Sequence, residues 1–252
     1  MLNELYLKKI SLPDHAGITG YLRELPAVKY LSDLEFQKRI TFFVGENGTG
    51  KSTLLEAIAV ACGFNPEGGT KNFNFATRQT HSALYRHLKV TRGYKRERDG
   101  FFLRAESFYN VATNIDDLDV EEWNGIRITA PKVIASYGGS SLHAQSHGES
   151  FLALAMNRFG GRGLYLLDEP EAALSPAKLL SLLVRLHELE QMDSQFIIAT
   201  HSPILMAYPD ADVYLFDQDG IRLTDYRETE HYQLTRQFLN DPQRMLDILL
   251  AD

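Results

Sequence analysis

Residues 45–52 read Gly45-Glu46-Asn47-Gly48-Thr49-Gly50-Lys51-Ser52, a complete G-x-x-x-x-G-K-S string. It lies between a β-branched and aromatic run, Ile40 to Val44, and an apolar run, Thr53-Leu54-Leu55-Glu56-Ala57-Ile58-Ala59-Val60. Strand, glycine turn and helix in that order make a phosphate cradle. Glycine lets backbone N–H groups come close to a polyphosphate, and the helix N-terminus adds partial positive charge. The nucleotide contacts expected from this segment are Gly45, Glu46, Asn47, Gly48, Thr49, Gly50, Lys51, Ser52 and Thr53, with Lys51 also counted among the catalytic groups.

The remaining bounds are broad. A chain of 252 residues suits one large α/β domain, and 44% hydrophobic with 23% charged residues is ordinary for a globular protein. No apolar run approaches the ~20 residues needed to cross a bilayer, so no membrane span is expected. The first residues carry no basic stretch and apolar core, and the single cysteine, Cys62, can form no internal disulfide; a reducing, cytoplasmic setting is expected. A net charge of −7 argues against a nonspecific nucleic-acid coat while leaving room for a local basic patch.

Residues 2–10 alternate as an opening strand, and Pro13 to Pro26 is a loop or hairpin. Gly63 to Gly69 is a turn, and His81 to Phe108 reads as two strands forming a hairpin around Arg96-Glu97-Arg98-Asp99-Gly100. Val133-Ile134-Ala135 leads into a loop, Tyr137-Gly138-Gly139-Ser140-Ser141, before a helix over Phe151 to Phe159. Leu164 to Leu167 is a buried-strand run, Ser175 an N-cap with Pro176 at N1, Ala177 to Leu189 a helix, and Phe196 to Thr200 another buried strand. Strand, helix, strand predicts a parallel sheet. Val213 to Phe216 and Ile221 to Leu223 form a hairpin, and a terminal helix starts near His231.

Three further segments carry chemistry. In Leu164-Tyr165-Leu166-Leu167-Asp168-Glu169-Pro170 a hydrophobic strand ends in two carboxylates. Asp168 suits Mg²⁺ through its water shell, opposite the Ser52 hydroxyl, and Glu169 suits the attacking water. The plainer reading is a capped turn. Ser146-His147-Gly148-Glu149-Ser150 precedes a helix and fits an S-x-x-E capping box equally well. In Ala199-Thr200-His201-Ser202-Pro203 a histidine leaves a buried strand, placed to donate a hydrogen bond to a γ-phosphate.

In this order the segments resemble the ATP-binding-cassette ATPase superfamily, specifically its soluble branch of Rad50-, SMC- and RecF-like proteins and small bacterial ATPases. The resemblance implies an α/β P-loop NTPase with an ABC-ATPase-like mixed sheet, an N-terminal antiparallel part and a short helical subdomain. It further implies a single domain over 1–252 with a small inserted lobe at roughly 65–148. In its terms Gly45 to Ser52 is similar to Walker A, Ser146 to Ser150 to the signature loop, and Leu164 to Glu169 to Walker B. Ala173-Leu174-Ser175-Pro176 is similar to the D-loop, and His201 to the switch histidine. Gln79 is the choice for the Q-loop glutamine, a metal ligand beside Ser52 and Asp168, with Gln145 its competitor. The signature departs from Leu-Ser-Gly-Gly-Gln, so only Ser146 and Gly148 are carried over, and a proline stands where the D-loop pattern has aspartate.

The family implication is an ATPase using ATP and Mg²⁺. One phosphate loop and one signature per chain imply a head-to-tail homodimer formed on ATP binding. A separate effector protein and DNA or RNA are the expected partners, in genome maintenance or phage defence. The alternatives are the nucleotide-binding subunit of a membrane transporter and a regulatory ATP sensor with little turnover. Arg86, Lys89, Arg92, Lys95, Arg96 and Arg98 invite a nucleic-acid groove, but a solvated hairpin edge explains them more simply. His143 and His147, at i, i+4, are better explained as loop residues than as a metal site.

Overall fold

In the computed structural model of the chain the described residues are 5–71, 82–104, 122–123, 126–127 and 147–251. The strands are β1 (Leu7–Ser11), β2 (Asp33–Glu35), β3 (Ile40–Gly45), β4 (Lys89–Arg92), β5 (Asp99–Arg104), β6 (Glu122–Trp123), β7 (Ile126–Arg127), β8 (Gly163–Asp168), β9 (Gln195–Ala199), β10 (Asp212–Asp217) and β11 (Gly220–Leu223). A six-stranded sheet has the order β11-β10-β3-β9-β8-β5, and a three-stranded sheet the order β2-β1-β4. From β10 to β5 every neighbouring pair is parallel, and β11 closes the edge as an antiparallel hairpin with β10. The smaller sheet is antiparallel throughout. This is a mixed α/β fold of the P-loop NTPase kind.

The unbroken apolar runs of β3, β8 and β9 demand cover on both faces, because side chains alternate along a strand. Phe42 accordingly enters one core layer, with Phe151 and Leu154 of the helix His147–Asn157, Phe159 just after it, and Leu182 and Leu186 of the helix Pro176–Gln191. Phe43 enters the other, with Leu54, Leu55 and Ile58 of the helix Lys51–Ala61 and with Leu7 and Ile10 of β1. Gln195, fully buried, locks the sheets together: its Oε1 accepts from Leu7 N–H at 2.9 Å and its Nε2 donates to the Leu7 carbonyl at 2.8 Å. Buried polar groups persist where each donor and acceptor is met, and this amide meets both.

Several expectations hold with adjusted bounds. The opening strand is β1, the stretch between Pro13 and Pro26 contains only a single helical turn at Tyr21–Glu24, and the helix after Ser175 runs Pro176–Gln191. Ser175 caps it, its side chain accepting from Lys178 N–H at 3.4 Å. The terminal helix is two, Glu230–Asn240 and Pro242–Leu249, interrupted at Pro242, which cannot donate to the preceding turn.

The hairpin expected around Arg96 to Gly100 is corrected. β4 pairs with β1, whereas β5 pairs in parallel with β8. A hairpin would have left one face of the fully buried run Phe101 to Leu103 without cover, and the large sheet covers both. Within the basic run, Arg92 is structural: it pairs with Glu97 at 3.1 Å and donates to the Cys62 carbonyl at 3.1 Å. At the end of β5, Arg104 pairs with Glu56 of the helix Lys51–Ala61, at 2.6 Å.

Candidate active site

Parallel strands all point their C-terminal ends the same way, so the segments leaving β3, β8 and β9 meet along one sheet edge. β9 stands between β3 and β8. That order sets the residues after β9, Thr200 and His201, between the phosphate loop on one side and Asp168 and Glu169 on the other. The Thr200 N–H donates to the Phe43 carbonyl at 3.0 Å and the Glu169 N–H to the Ala199 carbonyl at 2.9 Å, carrying the ladder one residue past each strand.

The glycines of the loop serve distinct needs. Gly45 has φ 137°, and a Cβ there would lie 2.0 Å from the Phe216 carbonyl oxygen of β10. Gly50 has φ 96° and presses on Ala27, whereas Gly48, with φ 81°, has open space and needs glycine only for its backbone. The loop is tied down by Thr49, whose hydroxyl donates to the Glu46 carbonyl at 2.9 Å and whose carbonyl accepts from Ala27 N–H at 3.0 Å. Lys51, first in the helix, is buried, and its ammonium donates to the carbonyls of Gly45 at 2.7 Å and Glu46 at 2.8 Å. Burial lowers its pKa, opposed by the carboxylates of Glu169, Asp168, Glu46 and Glu171. Those acids therefore share the field of the Lys51 ammonium.

Glu169 has φ 48° and ψ 53°, left-handed backbone that costs a residue with a Cβ on the order of 1–2 kcal/mol. The turn throws its side chain off the sheet edge towards His201, with Oε1 3.6 Å from His201 Nε2. Pro170 then opens a short 3₁₀ turn, Pro170–Ala173. Glu171 sits beneath His201. Its Oε1 accepts from the Thr200 hydroxyl at 2.7 Å and from the His201 N–H at 2.5 Å, and Thr200 Oγ1 in turn accepts from Ser202 N–H at 3.0 Å. Burial raises the pKa of this carboxyl, against those two donors. Above it, His201 Nδ1 lies 3.0 Å from His231 Nε2.

Burial, and then Lys51 and His231, push the His201 pKa down to about 4. Its Nε2 is buried and makes no hydrogen bond among the described residues. The ring is therefore neutral at pH 7, an imidazole carrying one transferable hydrogen bond. The unfolded chain takes up this proton near pH 6.5 and the folded chain only near pH 4, so His201 removes stability as pH falls through that window. A His201→Gln protein should lose this term. Its urea midpoint is expected to vary less between pH 6.5 and 4 than that of the unsubstituted chain, by an amount on the order of 2 kcal/mol in unfolding free energy.

Ser52 and Asp168 offer a hydroxyl and a carboxylate, few and hard oxygen donors of the kind that hold Mg²⁺ together with several waters. Gly148 lies in the first turn of the helix His147–Asn157 and is buried, with its Cα so near the Ala173 carbonyl that a Cβ would come within 2.3 Å of that oxygen. The residues read as signature and D-loop thus touch within one chain. Ser146, Gln79, Gln145 and His143 lie outside the described residues. Two participants were not assigned a place from sequence. Glu171 is one, though an acid two residues past Glu169 is visible in the sequence. His231 had no local signal, lying thirty residues beyond His201.

Residues 29–129 match the AAA domain family, and residues 146–207 match a second AAA domain family whose description names AbiEii toxin and a Type IV TA system. Among solved structures the chain is similar to a metal-chelate type ABC transporter in an inward-facing conformation, with 16% identity, a TM-score of 0.51, and coverage of 93% of this chain and 89% of that one. It also aligns with cbiO1 from Clostridium perfringens, part of the ABC transporter complex cbiONQ, at 15% identity and a TM-score of 0.49, over 98% of this chain and all of that one. No curated protein matches the sequence. The first structural likeness is one of fold. The two AAA domain matches support a P-loop ATPase of that broad type. Among the described residues no helix is long and apolar enough to cross a membrane.

Proposed function

We propose that the chain is an ATPase that binds ATP with Mg²⁺ and hydrolyses it at composite sites of a head-to-tail homodimer, coupling closure to a change in a partner or nucleic-acid substrate. The observation that carries the reading is the meeting of Glu169 and His201, 3.6 Å apart, on the sheet edge that also bears the phosphate loop. The loop amides and Lys51 hold the β- and γ-phosphates, and the Lys51 ammonium exchanges its two carbonyl partners for phosphate oxygens. Ser52 and Asp168, with Gln79 as a further ligand, would hold Mg²⁺, which would neutralise charge on the triphosphate. Glu169 orients the attacking water and accepts its proton, and the His201 N–H stabilises the charge that gathers on the γ-phosphate.

Ser146 and Gly148 of the partner subunit close the site from above. This assignment suits the one loop and one signature per chain, the whole working as a single ABC-type domain with an inserted lobe at roughly 65–148. A cytoplasmic setting, an effector encoded separately and a role in genome maintenance or phage defence complete the reading. Sedimentation of the purified chain should show a monomer without nucleotide and a doubled mass with ATP and Mg²⁺. A chain that stays monomeric and leaves ATP unbound under those conditions overturns it. Hydrolysis measured with and without DNA or RNA separates a nucleic-acid motor from a sensor.

A further inference from the structure

Beyond the residues that face the nucleotide, the site contains a second imidazole whose place is set by the C-terminal part of the chain. His231 lies in the first turn of the helix Glu230–Asn240. That turn is fixed by Thr229, buried, whose hydroxyl donates to the Tyr226 carbonyl at 2.6 Å and accepts from Tyr232 N–H at 3.4 Å. The His231 ring meets the His201 ring at 5.0 Å between centroids and 54° between planes, with Nε2 of His231 and Nδ1 of His201 3.0 Å apart. We propose that His231 is a positioning residue: its Nε2–H donates to His201 Nδ1, which fixes His201 as the Nε2–H tautomer and aims that proton at the γ-phosphate.

Two ring nitrogens 3.0 Å apart need one N–H between them, and either ring can supply it. The surrounding charges choose. If His201 held its proton on Nδ1, the bare Nε2 lone pair would face the Glu169 carboxylate at 3.6 Å, two acceptors opposed. With the proton on Nε2 the same contact is attractive, and Nδ1 is left as an acceptor. His231 Nε2 then has to be the donor, and its N–H also lies towards Glu46 Oε1 at 3.9 Å. Both carboxylates thus favour the same tautomer. The other charged groups acting on His201 are Lys51, whose positive charge opposes a second proton on the ring, and Glu171, which holds its backbone N–H from below. The low proton affinity of His201 keeps the ring neutral throughout the physiological range, so the choice is between tautomers and not between charge states.

The activity arm of the test rests on the ATPase reading given above, and the spectroscopic arm does not. Long-range ¹⁵N–¹H imidazole spectra of the full-length chain, with His201 assigned through the His201→Gln variant, should show His201 protonated at Nε2. Protonation at Nδ1 overturns the proposal whether or not the protein turns over ATP. His231→Met should lower kcat for ATP by about tenfold to a hundredfold, the range met when the orienting partner of a functional histidine is lost, with KM changed less than about twofold. His231→Gln, whose amide nitrogen takes the place of the imidazole Nε2, should recover most of that loss. Equal activity of the Met and Gln variants, or a Met variant at full rate, also overturns the proposal. Wild-type protein without any ATPase activity would sink the functional reading alone, and the tautomer would still be decided by the spectra.

Discussion

Glu169→Gln is expected to abolish all but about one part in 10² to 10⁴ of the steady-state hydrolysis, the contribution usual for a positioned general base. The substitution keeps the size of the side chain and removes its capacity to take a proton. Because the left-handed backbone at Glu169 and its N–H bond to Ala199 do not involve the carboxylate, the turn survives. The phosphate loop is untouched, so ATP affinity is retained and the closed dimer accumulates. The measurement is phosphate release beside sedimentation in ATP and Mg²⁺. A variant that hydrolyses at the wild-type rate removes Glu169 from the chemistry, and a dead variant that no longer binds ATP shows that the residue does more than take a proton.

Gly45→Ala is expected to be the most damaging single-methyl change in the loop. The new Cβ would stand 2.0 Å from the Phe216 carbonyl oxygen at a φ of 137°, so the β3–β10 pairing at Phe216 and Gly45 has to open. A clash against backbone cannot be relieved by a rotamer change. The cost should be about 3 kcal/mol or more, with a fall of about 10 °C in melting temperature and loss of nucleotide binding. Gly48→Ala is the control. It too has positive φ, but no atom lies within 4 Å of the added methyl, so only the backbone penalty of about 1 kcal/mol applies. Equal effects of the two substitutions on thermal melts without nucleotide would remove the steric argument.

What could be read from the sequence was what local context carries. The phosphate loop, the carboxylates after β8 and the histidine after β9 each sit at the end of an apolar run, and strand, helix, strand predicts the parallel direction of β8 and β9, though not the place of β9 between β3 and β8. The partner of β4 was misread because alternation and turn residues describe a hairpin that tertiary cover overrules. Gly148 and Ala173 were read as separate motifs, and their contact depends on how the helix His147–Asn157 lies against the turn after Glu169. His231 was out of reach for the same reason. Its approach to His201 depends on the β10–β11 hairpin and the course of the helix after it, neither of which leaves a mark on the residues around His231.

The strand between β3 and β8 has a mechanical meaning. Neighbouring strands are about 4.8 Å apart, so the phosphate loop and the acidic end of β8 are held roughly 10 Å from one another by two rows of amide-to-carbonyl bonds. Main chain thus acts as the gauge of the cleft, and side chains only furnish it. Substitutions among the packed phenylalanines and leucines reduce the number of molecules that stay folded, while each surviving molecule keeps its jaws at the same width.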